Sequence, residues 1–409
     1  MIQSKTPLLF LVHRIPFPPN KGDKIRSYHL LKFLAEQYDV YLGTFIDDVQ
    51  DEQYRSVVAE FCQEVHIETI RPPLAKLKSL SGFIRNEALS IPYYASATMQ
   101  DWVNKIVASK QIKKSLAFSS PMAQFLVNLD NLDSRVMDFV DIDSDKWQQY
   151  CQTHKGIMSW IYAREARYLF AYEKQIAKQF TASLFVSEQE AQMFRTMNPE
   201  AADKTHGLSN GVDIDYFNTR YQSENPYNKN KKVLVFTGAM DYWANCDAVI
   251  WFAQEIFPLL YNKDKSYQFY IVGSNPTEQV QALAAIEGVF VTGRVEDIRP
   301  YIQHALLCVA PLRIARGIQN KVLEAMAMGK AVIATMNAME GIELPEHNRD
   351  KKAVALISDS VVQQFEDIDY LNNSGIRKRI ELAASQWIIE HYSWSKTLAP
   401  LTTFIEAEQ

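Results

Sequence analysis

Cysteine is scarce in this chain. Cys62, Cys151, Cys246 and Cys308 are scattered through 409 residues. They have neither the paired spacing of a metal site nor the density of a disulfide scaffold, and they fit a reducing cytoplasm. Long apolar runs are also missing, since none approaches the roughly 20 residues of a membrane-spanning helix. The N-terminal stretch has one lysine and no cleavage-site pattern. Leu8 to Val12 therefore reads as a first strand, not a signal peptide. Positive charge is not in excess: 43 Lys and Arg stand against 48 Asp and Glu, a net charge of −5, which argues against a nucleic-acid partner. No short repeat and no cluster of metal ligands is visible, so no metal is expected.

What is present is globular: 47% of residues are hydrophobic and 22% charged. The length favours two domains over one core. The most informative stretch is LLCVAPLRIARGIQNKVLEAMAMGKAVIAT, from Leu306 to Thr335. Leu306 to Leu312 reads as a buried parallel strand, Lys321 to Met328 as a helix, and Ala331 to Thr335 as the next strand. This βαβ unit has its loop at the carboxyl end of the first strand, where open α/β sheets bind ligands. The helix start offers free N–H groups and the positive end of its dipole. Gly317 permits close backbone approach. Arg313, Arg316 and Lys321 add positive charge, and Glu324 can accept hydrogen bonds from a ribose diol. Phosphate plus ribose suggests a nucleotide.

The first half opens in the same way. Strand Pro7 to Val12 leads through HRIPFPPNKGDKIRS into a helix from Tyr28 to Glu36. Gly22, with Lys21, Lys24 and Arg26 around it, is either a second phosphate contact or a plain turn. Asp141 and Asp143 follow the strand Arg135 to Val140. They are either ligand groups at the sheet edge or a solvated turn capping the next helix. Pro72 to Tyr94 mixes leucines with Lys76, Lys78 and Arg85, and either lies on an anionic membrane surface or packs on its own domain. A linker is expected from His206 to about Asn230. The strand and helix alternation then restarts, with a last short strand at Ala353 to Ile357. The expected class is α/β with two doubly wound domains.

Four stretches carry a resemblance: KVLEAMAMGKAVIAT, SNGVD at Ser209 to Asp213, FTGAMDYWANCDAVIWF and VTGRVEDIRPYI. Together they resemble the retaining GT-B glycosyltransferases of family 4. HRIPFPPNKGDKIRSYHLL, DFVDIDSDKW and RIARGIQNKVLEAMAMG look like the sugar transferases of bacterial exopolysaccharide and exosortase systems. The resemblance implies two Rossmann-like domains facing a central cleft. These would be 1–206 for the acceptor, 207–388 for the donor, and a tail, 389–409, packing back on the first domain. It implies transfer from a nucleotide diphosphate sugar, used as co-substrate with no cofactor, to a glycan or lipid-linked acceptor. The setting would be cytoplasmic, with peripheral contact at the inner face of the membrane.

The family's residues carry over in part. Glu324 matches the second of its two donor-loop glutamates, whereas Arg316 stands in place of the first. Met240 and Asn245 stand where relatives often have an Arg and a Lys on the diphosphate, so Arg316 and Lys321 are expected to supply that charge. Asp141 or Asp143 sits near the place of a sugar-contacting His. Gly22 fits the glycine loop, with Asp23 in place of its second glycine. Gly238, Arg294, Val295, Arg313, Gly317, Ile318, Gln319 and Val322 complete the expected donor contacts. Two other functions use the same site: a nucleotide-sugar epimerase, and a non-catalytic nucleotide or glycan binder.

Overall fold

The computed structural model describes residues 5–315, 317–345 and 354–407. Two compact units emerge, residues 1–209 with 398–409, and residues 210–397.

The first unit is built on seven strands: β1 (Thr6–Val12), β2 (Tyr38–Ile46), β3 (Glu64–Thr69), β4 (Lys114–Phe118), β5 (Ser134–Val140), β6 (Ala182–Phe185) and β7 (Thr205–Gly207). Their order is β3-β2-β1-β4-β5-β6-β7, and every pairing is parallel. Helices on both faces bury the central strands, which is why Leu8 to Val12 is apolar without alternation and wholly buried. The strand order reverses between β1 and β4, which places a crevice at their carboxyl ends. The closing helix Ala399–Glu406 belongs to this unit: Tyr38 Oη donates to Glu406 Oε1 at 2.7 Å, and Phe404 stacks on His206.

The second unit repeats the plan with β8 (Lys232–Thr237), β9 (Tyr267–Val272), β10 (Val289–Gly293), β11 (Leu307–Ala310), β12 (Val332–Ala334) and β13 (Leu356–Ile357). Their order is β10-β9-β8-β11-β12-β13, so the switch falls between β8 and β11. The expected doubly wound sheets are both present.

Several local expectations need correction. The first long helix spans Gly22–Gln37 and so starts before Tyr28. Lys24 and Arg26 are buried in it, because each has a carboxylate partner: Lys24 Nζ donates to Asp51 at 2.5 Å, and Arg26 Nε to Asp138 at 2.9 Å. Neither surrounds Gly22 as a phosphate ligand. Thr205–Gly207 is a strand where a linker was expected. Gly207 is required there, since a Cβ would lie 2.6 Å from the Glu188 backbone. The helix Ala97–Ser109 is an addition to the expected elements: Met99, Val103, Ile106 and Val107 give it a buried stripe and Ser96 caps it. Ala353, the first residue of the expected last strand, lies outside the described residues.

Candidate functional site

In the second unit, β11, the helix Asn320–Ala327 and β12 form the expected βαβ unit. Val322, Leu323, Ala325, Met326 and Ala327 fasten the helix to the core. Lys321 and Glu324 fall on its other side, half-buried at the carboxyl edge of the sheet.

The loop after β8 is packed against this helix by missing side chains. A Cβ on Gly273 would stand 1.6 Å from the Gly238 carbonyl oxygen, so the two loops touch through backbone. A Cβ on Gly238 would stand 2.7 Å from Asn245 Nδ2 and 3.3 Å from Lys321 Nζ. Asn245 donates to the Ala239 carbonyl at 2.9 Å, and its Oδ1 accepts from Lys321 Nζ. The ammonium also lies 4.4 Å from the centroid of the Phe236 ring. A cation from the first turn of one helix thus reaches the position on the other helix where resemblance expects a lysine.

The electrostatics are those of two opposite charges, both desolvated, that act on each other without a salt bridge. Burial pushes the Lys321 ammonium down to about 8, with Glu324 opposing the shift. Burial pushes Glu324 up to about 7, with Lys321 opposing. The Glu324 carboxylate makes no side-chain hydrogen bond among the described residues. Asn320 Oδ1 is buried without a partner at the same helix start. Gly317, at φ +64°, has open space where a side chain would be.

Other expected donor contacts have different surroundings. Arg313 is engaged with Asp247 by two hydrogen bonds and lies over the Trp251 ring. Its charge is therefore largely matched already. Val322 is a core side chain, and its N–H is bonded to the Gln319 carbonyl at 2.9 Å. Gln319 Nε2 donates to the Gly317 carbonyl, while Ile318 packs against the core. Arg294 is exposed just after β10, beside half-buried Val295. Met240 is fully buried and offers no charge. Arg316 lies outside the described residues.

In the first unit, the ends of β1, β4 and β5 gather a polar cluster. Asp23 pairs with Arg14 at 2.8 Å and with His13 at 3.5 Å, and Arg14 also holds Asp47 at 2.8 Å. Burial alone would raise Asp23, yet His13 and Arg14 hold it well below the usual carboxylate range. Gly22 beside it faces open space. Lys146 bridges Asp141 at 2.7 Å and Asp143 at 3.2 Å. Burial raises the pKa of Asp143, against the pull of Lys146. These aspartates project from a strained strand end: Val140 has φ +71°, a rare conformation for a β-branched residue, at a bulge where Asp138 Oδ1 accepts from the Val140 N–H.

Three groups were missed by sequence reasoning. His13, stacked on Phe118 and edge-on to Tyr94, is the first residue past β1. That position was its only signal. Lys146 lies three residues beyond Asp143. Glu173 comes from the helix Ile157–Gln179 and accepts from Ser144 Oγ at 2.5 Å, with weaker contacts to Ser144 N and Ser120 Oγ. Burial pushes it up to about 8. Nothing in the helical pattern announces a buried acid there.

Residues 231–368 match the model of the family described as Glycosyl transferases group 1. A search of curated proteins gave no match. Among solved structures, Anabaena HepE in complex with UDP is similar at 15% identity and TM-score 0.64, over 97% of this chain and 99% of that one. Sucrose-phosphate synthase from Thermosynechococcus elongatus is similar at 15% identity and TM-score 0.65, over 98% of both chains. A glycosyltransferase from Rickettsia africae is similar at 14% identity and TM-score 0.65, again over 98% of both. These likenesses, with the two sheets, show the GT-B fold.

Proposed function

We propose that the protein transfers a sugar from a nucleotide diphosphate sugar to a glycan or lipid-linked acceptor, with retention at the anomeric carbon. The observation that carries this reading is the placement of Lys321 and Glu324 on one helix start at the β8/β11 switch point, with the ammonium lodged against Asn245 and the Phe236 ring. Glu324 would accept the ribose hydroxyls. Lys321 and the N–H groups of the helix start would take up the charge that develops on the diphosphate as the bond from anomeric carbon to phosphate oxygen breaks. The acceptor oxygen forms the new bond and gives up its proton. Asp141 either receives that proton or orients the sugar, and Lys146 keeps its carboxylate in place.

A uridine nucleotide is the first donor to test, because similar HepE has been solved with UDP and with UDP-glucose. Resemblance to exopolysaccharide sugar transferases supports a role in bacterial surface polymer synthesis in the cytoplasm. The test supplies UDP-sugars with and without glycan or lipid extracts. Transfer predicts release of UDP and a glycosylated product, both reduced in Lys321→Ala, with NMR giving the anomeric configuration. Release of a changed sugar without acceptor would instead indicate an epimerase. Nucleotide binding with no turnover would indicate a binding module.

A further inference from the structure

Residues 71–85 contain Arg71, Lys76, Lys78 and Arg85 and no acidic residue. They fold into the helices Pro72–Ser79 and Ser81–Arg85. Leu74, Leu77, Leu80 and Ile84 are not buried by this folding, and Ile84 is 86% exposed. A second exposed apolar group, Ile157, Met158 and Trp160, opens the helix Ile157–Gln179.

The fold joins the two groups. Trp160 stacks on Phe83 with ring centroids 6.1 Å apart. Arg164 lies 4.5 Å from the Phe83 centroid and donates to the carbonyls of Gly82 at 2.6 Å and Glu87 at 3.1 Å. Glu165 accepts from the N–H groups of Leu89 and Ser90. Seven large apolar side chains thus stand exposed around one fixed junction, far more than isolated surface residues would give.

The charge around them is mainly positive, although Arg85 lies 3.8 Å from Glu87 and Lys178 pairs with Glu200. The helix Ile157–Gln179 has two acidic residues, Glu165 and Glu173, and these are only 4% and 1% exposed. Its basic residues Arg164, Arg167, Lys174 and Lys178 share the helix face of Trp160, by their spacing. Lys155 stands exposed just before the helix. This basic surface belongs to a chain whose net charge is −5.

We propose that this surface seats on an anionic lipid bilayer, with Leu77, Ile84, Ile157 and Trp160 entering the interface and the lysines and arginines meeting headgroup phosphates. A bilayer supplies both an apolar phase and negative charge. A nucleic acid would leave the aliphatic side chains in water, and a second copy of the same surface would be repelled by its own charge. No helix among the described residues is long and apolar enough to cross a membrane, so the contact is interfacial. The inference goes beyond the donor chemistry and does not depend on it.

The test is co-sedimentation of the full chain with vesicles of phosphatidylcholine, with and without phosphatidylglycerol, at rising salt. The wild type is expected to bind only the anionic vesicles, and less so as salt rises. Lys76→Gln/Arg85→Gln/Lys155→Gln should lower the partition coefficient by about a hundredfold, from about a fivefold loss per charge. Ile84→Ser/Ile157→Ser should lower it by about tenfold or more. All five positions are exposed, so unchanged melting curves verify the fold, and the salt series on the wild type stands whatever the variants do. Absence of binding, equal binding to both vesicle types, or unaltered binding in both variants overturns the proposal. So does a dimer that Ile84→Ser/Ile157→Ser breaks in the absence of vesicle binding.

Discussion

Lys321 Nζ donates to Asn245 Oδ1 across 76 residues of sequence, bringing the cation of one helix start onto another. The charge that resemblance places at position 245 is therefore supplied at that point from the opposite helix. Lys321→Ala should lower donor turnover, read as UDP release, by about a hundredfold or more. The swap Asn245→Lys with Lys321→Asn should recover much of the loss. Failure of the swap to improve on Lys321→Ala would mean that the helix-borne position matters for more than its charge.

Binding of the nucleotide should follow a bell-shaped pH profile. Glu324 accepts ribose hydroxyls best when ionised, and burial holds it at about 7, so affinity rises with pH through that value. Lys321 attracts the diphosphate when protonated, and burial holds it at about 8, so affinity falls above that value. The maximum is expected between the two. Calorimetry at several pH values should show the acid limb disappear in Glu324→Gln and the alkaline limb in Lys321→Met.

Glu173 should make stability fall with pH. Its folded-state pKa of about 8 exceeds its ordinary 4.5, so the folded protein holds the proton more tightly. That stabilisation is present below about 4.5 and is lost as pH rises through about 8. Glu173→Gln keeps an acceptor for Ser144 without the charge. It should be more stable than wild type at neutral pH by about 1–3 kcal/mol, with a shallower pH slope in urea unfolding. Equal slopes in the two proteins would show that Glu173 is not held neutral.

Gly273→Ala should be severely destabilising. The new Cβ would meet the Gly238 carbonyl at 1.6 Å, with no flexible side chain to give way. A loss of about 3 kcal/mol or more is expected in urea unfolding, with weaker nucleotide binding, because Asn245 is held by the Ala239 carbonyl of the displaced loop.

The parts legible in sequence were those with a local signature. Apolar runs such as Leu8 to Val12 mark strands buried on both faces, and the helix with Val322, Leu323 and Met326 inward marks the βαβ unit. Pairings over long sequence distance were not legible. Lys24 and Arg26 read as surface cations because Asp51 and Asp138, which allow their burial, lie 27 and 112 residues away. Arg313 read as a phosphate ligand for the same reason, its partner Asp247 being 66 residues off. Glu173 is the opposite case: a charge in a helix with several others reads as solvated until Ser120 and Ser144 are seen around it.

The most direct test of the donor site is thermal stability of the wild type and of Glu324→Ala with UDP, GDP and ADP. A nucleotide at about 100 times its Kd should add about 2.7 kcal/mol of stability. One nucleotide, expected to be UDP, should stabilise the wild type, and Glu324→Ala should lose most of that shift. If no nucleotide stabilises the wild type, or if Glu324→Ala responds as strongly, the donor site is not at Glu324 and Lys321.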